Sequence, residues 1–253
     1  MFDLWLSSST PVIVLVPFAT FYSIALLIVW VTHRSPARPY FASCVGIAGP
    51  FPATVAILFA LFAAFLGNDV QRRSANAEAA VFREADGMRT ILRLAEAVGK
   101  DADQIRQEAR AYLNFVLDEE LPKMRQRGAA PNKLGKERAL SLAVLSASLP
   151  PGVQTTMLGA LVAVREARLE RRTLSGNISS PFYWFAVIAL GILTQVAIAV
   201  VQLDKARPQA LALFVYTTAF ATTVALIGVG ERPFSGRTIH DEPLREAMAS
   251  MTP

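Results

Sequence analysis

Four apolar runs, Pro11 to Thr32, Ser43 to Gly67, Pro181 to Leu203 and Gln209 to Gly230, contain no Asp, Glu, Lys, Arg or His. A hydrocarbon core about 30 Å thick takes roughly 20 apolar residues of helix to cross, because it holds no water to satisfy backbone polar groups. Each run meets that length, so the chain is expected to cross a bilayer four times. A charged fraction of only 18% leaves few residues to solvate a water-soluble surface built around such runs.

The first run is expected to remain as a span. No basic stretch precedes it, it exceeds the ~7–15 apolar residues of a signal peptide, and His33 and Arg34 follow it rather than small residues. Four spans place both termini and the long middle region on one face, with the links His33 to Phe41 and Asp204 to Pro208 on the other. Basic residues gather at the span ends on the middle-region face, among them Arg72, Arg73, Arg83, Arg165, Arg168, Arg171, Arg172 and Arg232. Positive residues favour the cytoplasmic side, so the middle region is expected in the cytoplasm and the protein in the plasma (inner) membrane. The segment before the first span carries only Asp3, while Arg34 and Arg38 follow it, which argues the other way. The net charge of +5 suits anionic lipid as a partner and is too dispersed to suggest nucleic acid.

The middle region carries helical periodicity. Beyond Asn68 polarity rises without a proline, so the second span is expected to continue out of the membrane with Val81, Ala85, Met88, Leu92 and Ala95 on one face. Gly99 ends that helix, and Asp101 with Gln104 resembles a capping pair for the next, whose stripe is Ile105, Ala109, Tyr112, Leu113 and Val116. Pro122 is expected to stop or kink it. A loop from Gly128 to Gly135, a helix from about Glu137 to Leu149 and a last helix from Pro150 and Pro151 to about Leu174 complete the region. No segment alternates as a strand would. The expected fold is therefore all-α, with four transmembrane helices and a long helical extramembrane domain inserted between spans two and three. The expected divisions are 1–67 for the first two spans, 68–178 for the helical cytoplasmic domain, 179–230 for the last two spans and 231–253 for a tail.

Chemistry-bearing motifs are sparse. The single cysteine, Cys44, excludes an intrachain disulfide. The two histidines, His33 and His240, fall on opposite faces, and no phosphate loop, nucleophile elbow or zinc spacing appears, so neither an enzyme nor a cofactor is expected. Asp118, Glu119 and Glu120 read as a solvated helix end or as partners for arginine. Thr194 and Gln195 in span three and Thr217, Thr218, Thr222 and Thr223 in span four could meet a permeant species, although such groups more often bond helices together or bond their own backbone.

Three stretches together resemble the bestrophin-like domain family, related in layout to the bestrophin anion channels. They are Phe65 to Arg73 with the following Glu84, Ala85 and Arg89; Arg165 to Arg172 leading into Pro181-Phe182-Tyr183-Trp184; and Glu231-Arg232-Pro233-Phe234-Ser235-Gly236-Arg237 after the last span. The third departs from bestrophins, since Thr238-Ile239-His240-Asp241-Glu242 follows in place of an acidic run, and a calcium clasp is not carried over. The resemblance implies a homo-oligomeric channel for monovalent anions.

A conduit needs several copies, because four helices of one chain would pack shut. Span two is the expected lining: Gly49-Pro50-Phe51-Pro52 gives it an irregular start, Phe51, Val55, Phe59, Phe62 and Leu66 repeat along one face, and small residues such as Ala60, Ala63 and Ala64 permit close packing. Asn68, Asp69, Arg72 and Arg73 are expected at its mouth. An alternative from another class is a non-conducting scaffold that binds a partner through its helical domain.

Overall fold

The computed structural model describes residues 5–6, 8–36, 39, 50–127, 135–176, 178–234 and 241–249. Cys44, Gly49, residues 128–134, where a loop is expected, and Ser235 to His240 lie outside the described residues. Among those described, all regular structure is helical and no strand occurs. The order is α1 (Thr10–His33), α2 (Phe51–Val98), α3 (Asp103–Phe115), α4 (Leu121–Arg127), α5 (Gly135–Ser146), α6 (Pro151–Gly176), α7 (Pro181–Val201), α8 (Ala206–Gly230) and α9 (Glu242–Ala249). Four of these helices, α1, α2, α7 and α8, hold stretches long and apolar enough to cross a membrane. The chain is an integral membrane protein.

Two compact units divide the chain. The first takes 1–71 and 178–231, the second 72–177 and 232–253. Leu244 and Ala247 of α9 join the core of the second unit, and Arg89 bonds Pro243 O at 3.2 Å and Glu246 at 2.6 Å.

In the membrane unit, apolar helices must recognise one another without a hydrophobic driving force, so close packing and hydrogen bonds fix them. Phe21 stacks on Phe220 with ring centroids 4.1 Å apart, and Leu66, Trp184, Val187 and Val224 complete the cluster. Gly191 is the void that the Phe220 ring fills; a Cβ there would fall within the ring. Pro17 interrupts α1 and frees the Ile13 carbonyl four residues back, to which Trp5 Nε1 donates at 3.3 Å. Gln195, fully buried, donates from Nε2 to Thr217 Oγ1 at 2.8 Å and to the Phe21 carbonyl at 3.3 Å. Gln209 donates to Ala199 O and accepts from Thr32 and His33. Thr194, Thr218, Thr222 and Thr223 bond the carbonyl four residues back.

In the second unit, α2 ends at Gly99, whose φ of +83° is the left-handed conformation that glycine adopts without strain. Asp101 does not cap α3. A 3₁₀ turn from Gly99 to Ala102 carries it past the cap, Ala102 takes the N-cap position, and Asp103 pairs with Arg106 instead. Pro122 does not stop its helix either. A π-helical turn from Val116 to Glu120 precedes it and widens the ladder where the proline ring would otherwise strike the Asp118 carbonyl. Gly87 permits α2 and α6 to touch: a Cβ there would stand 2.6 Å from Val164 Cγ2 and 3.1 Å from the Ala160 carbonyl oxygen.

Gly191→Val is expected to lower stability by about 1–3 kcal/mol or more through overpacking against Phe220. Gly67→Ala, whose Cβ would meet Ile227 at an ordinary 3.9 Å, should be neutral or stabilising. Thermal unfolding of the two detergent-solubilised variants beside the parent checks both.

Candidate functional site

The second span differs from the others in how little its own chain covers it. In its most apolar stretch only 6% of residues are buried, against 22% in α1 and 39% in the stretches of α7 and α8. Pro52 sits in the first turn of α2, where its missing N–H costs nothing.

The five residues expected to line a conduit do not form a free face. Leu66 is fully buried in the core of the membrane unit. Phe59 stands edge-on to Phe220 with centroids 5.3 Å apart and lies 6.2 Å from Tyr216. Phe62 lies 6.5 Å from Tyr183, Val55 is half-buried, and only Phe51 is exposed. The repeat on this face is the seam by which α2 joins its own chain, because aromatic and branched residues at helical spacing serve packing before anything else. The uncovered face lies about half a turn round. Ile57, Leu61 and Phe65 on it are 68%, 46% and 51% exposed, and Ala64 and Asn68 continue it at alternating steps of three and four.

At the end of this face the four expected mouth residues separate. Asn68 and Arg72 are exposed, whereas Asp69 and Arg73 are half-buried. The outward stripe thus passes from apolar side chains to an amide and a guanidinium, with the carboxylate of Asp69 turned about 100° away by the helix.

A second constellation, absent from the sequence-based expectations, lies in the core of the second unit. Glu84 on α2, Glu120 on the π turn and Arg171 on α6 are fully buried, and Arg168 on α6 is 2% exposed. Arg171 grips Glu84 with Nε to Oε2 at 2.7 Å and Nη2 to Oε1 at 3.1 Å, and the same Nη2 reaches Glu120 Oε1 at 2.9 Å. Arg168 donates to Glu120 Oε2 at 2.6 Å and to Glu137 at 2.9 Å, with its guanidinium 5.8 Å from the Tyr112 ring centroid and 5.6 Å from that of Phe115. Tyr112 donates to Glu84 Oε1 at 2.6 Å. Two carboxylates thus meet two guanidiniums, which is what buried charge requires. Glu120 is no solvated helix end, although arginine is its partner; Asp118 is exposed and Glu119 pairs with Lys123. Arg168 and Arg171 likewise face the core of this unit rather than lipid.

The electrostatics follow from burial and pairing. Burial alone would lower both arginine pKa values, but Glu120 beside Arg168 and Glu84 beside Arg171 outweigh it and hold both above the ordinary value. The Tyr112 phenol is pushed well above its usual range, first by burial and then by the Glu84 carboxylate. Burial raises Asp241, yet hydrogen bonds from Arg245 and the backbone leave its pKa lowered. No group of three or more His, Cys, Asp or Glu able to hold a metal occurs among the described residues.

Arg171→Leu leaves the buried Glu84 carboxylate with Tyr112 alone and Glu120 with Arg168 alone, and the expected loss is about 3–5 kcal/mol. Tyr112→Phe removes one bond to a charged acceptor, for about 1.5–3 kcal/mol. A phenol with its pKa raised in the folded chain lends stability that is present below the unfolded value near 10 and is lost as pH climbs through the folded value, so Tyr112→Phe should also flatten the alkaline fall in stability above about pH 10. Unfolding curves taken across pH measure both effects.

Residues 19–239 match the family model for the Bestrophin-like domain. Among solved structures, the chain is similar to a bacterial bestrophin homologue from Klebsiella pneumoniae. One single-substitution variant of that protein gives a TM-score of 0.71 at 14% identity, covering 94% of this chain and 95% of that one. The form phased with zinc gives 0.68 at 14% identity over 94% and 95%, and a second variant gives 0.67 at 14% over 94% and 97%. No curated protein matches. At such identity the structural likeness speaks for the fold, while the family match extends over most of the sequence: the chain belongs to the bestrophin-like domain family.

Proposed function

We propose that the protein is a homo-oligomeric ion channel for monovalent anions, with copies of α2 around a shared axis and the face from Ile57 to Arg72 lining the conduit. The observation that carries this reading is the uncovered second span. It is the least covered span, its free stripe begins in hydrocarbon and ends in polar groups, and a ring of copies gives that stripe an aqueous path to face. Ile57, Leu61 and Phe65 then form an apolar neck that gates by dewetting, and aromatic edges tolerate a passing anion. Asn68 and Arg72 supply the polar mouth, while Asp69, turned off the stripe, does not impose a cation-selective carboxylate ring. The resemblance to the bestrophin anion channels implies the same ion class. By the positive-inside bias the second unit faces the cytoplasm of a plasma (inner) membrane.

Halide and sodium flux into liposomes carrying the intact protein tests the reading. Wild-type protein should pass halide in preference to sodium. Arg72→Glu should lower the halide-to-sodium ratio by about ten-fold, equivalent to roughly 1.4 kcal/mol, and Phe65→Ala should raise total flux. Leu66→Ala should reduce thermal stability while leaving the selectivity of the surviving channels unchanged. An intact oligomer that passes no ion would overturn the channel and favour a non-conducting scaffold, whose α2 faces pack dry.

A further inference from the structure

We infer that the membrane unit binds one water molecule in its interior, held between the side-chain carbonyl of Gln195 on α7 and the hydroxyl of Thr217 on α8. The site belongs to the joint between α1, α7 and α8, and it does not depend on whether α2 lines a conduit.

Gln195 and Thr217 are both fully buried. The partners of the amide fix which way round it lies. Its nitrogen stands 3.3 Å from the Phe21 carbonyl oxygen and 2.8 Å from Thr217 Oγ1. A backbone carbonyl only accepts, so turning the amide over would set two acceptor oxygens against each other. Oε1 therefore points away from Phe21, and among the described residues no donor reaches it. An amide oxygen shut off from solvent and left without a donor is costly, and the large majority of such atoms in folded proteins have a protein or water partner.

Thr217 supplies the other half. Thr194, Thr218, Thr222 and Thr223 turn their hydroxyls onto the carbonyl four residues back, the usual resort of a threonine in an apolar helix. The Thr217 hydroxyl instead accepts from the Gln195 amide, and among the described residues its own proton has no acceptor. Donor and acceptor flank the same amide nitrogen and so stand at most about 5 Å apart, a span that one water covers with two bonds of about 2.8 Å. The water accepts from Thr217 and donates to Gln195 Oε1, joining α7 to α8 nearly as well as a direct bond would.

The surroundings set the class of ligand. One turn to either side lie Gly191 and Ala199 on α7 and Leu213 and Ala221 on α8, all buried. Polar chemistry is thus confined to one level, which suits a single small molecule. An ion would meet no opposite charge, because Pro11 to Thr32, Pro181 to Leu203 and Gln209 to Gly230 contain no Asp, Glu, Lys, Arg or His.

Two measurements on the full-length protein in lipid nanodiscs test this. A density map that resolves other interior waters should show a peak within about 3.2 Å of both Gln195 Oε1 and Thr217 Oγ1. Its absence from such a map, or a protein donor on Gln195 Oε1, overturns the inference. Thermal unfolding of Thr217→Ala and Thr217→Val is the second measurement. In a dry, packed site valine is the milder change, since it keeps the volume of threonine while alanine leaves a cavity. In a hydrated site the order reverses: alanine admits a second water in place of the hydroxyl, whereas valine sets a methyl group against the bound water and the amide. The same pair of changes at Thr222, exposed on the same helix, supplies the correction for helix propensity. After that correction Thr217→Val should melt lower than Thr217→Ala. An equal or lower midpoint for Thr217→Ala overturns the water site.

Discussion

The hydrocarbon interior demands that each backbone donor and acceptor find its partner inside the protein, and the membrane unit is organised by that demand. Where α1 breaks the rule at Pro17, a side chain repairs it, since Trp5 donates to the freed Ile13 carbonyl. Where helices meet, amides clamp them. Gln195 bonds two neighbouring spans, and Gln209 accepts from the end of α1 while donating to the end of α7. Thr194, Thr222 and Thr223 bond carbonyls of their own helices. Polar residues in this unit are thus largely spent on joining and finishing helices, and the exposed apolar face of α2 at Ile57, Leu61 and Phe65 carries no such work.

The second unit solves the opposite problem. Its helices bury an apolar core that includes Met88, Ile105, Leu113 and Val144. Placing four charges in that core adds little net stability, because desolvating the ions offsets most of their attraction. What it adds is geometry. Arginine forks and a tyrosine hydroxyl join α2, α3, the π turn and α6 in directed bonds.

Much of the fold was legible because the bilayer sets a length that a sequence displays openly. Span ends fell within a few residues of the observed α1, α7 and α8, helical periodicity gave the extension of α2 and α3, and Pro150 with Pro151 marked the start of α6. The failures were local. Asp101 has the spacing of a cap, yet Gly99 imposes a turn that moves the cap to Ala102, and Pro122 reads as a breaker unless a π turn is foreseen. Of the charged cluster, the sequence reading offered Glu120 as a partner for arginine but placed neither Glu84 nor the two arginines in the core. Its signal was present: Ala77, Val81, Glu84, Met88, Ile91 and Ala95 form one stripe with steps of three and four, as do Met157, Leu161, Val164, Arg168 and Arg171. A charged residue that keeps the register of a buried stripe is a candidate for a buried partner, and here both stripes carry opposite charges.

The second span shows what periodicity alone leaves open. Phe59, Phe62 and Leu66 repeat on one face, and such a pattern says that the face is covered without saying by what. Ile57 and Leu66 are nine positions apart, two and a half turns at about 3.6 residues each, and so lie on opposite sides of the same helix. One side binds the helix to its own chain through aromatic contacts, while the other presents small and apolar residues with a polar end. Substitutions on the two sides therefore act on different quantities. Those on the seam change how firmly α2 is held, and those on the free side change what it offers to whatever lies beside it.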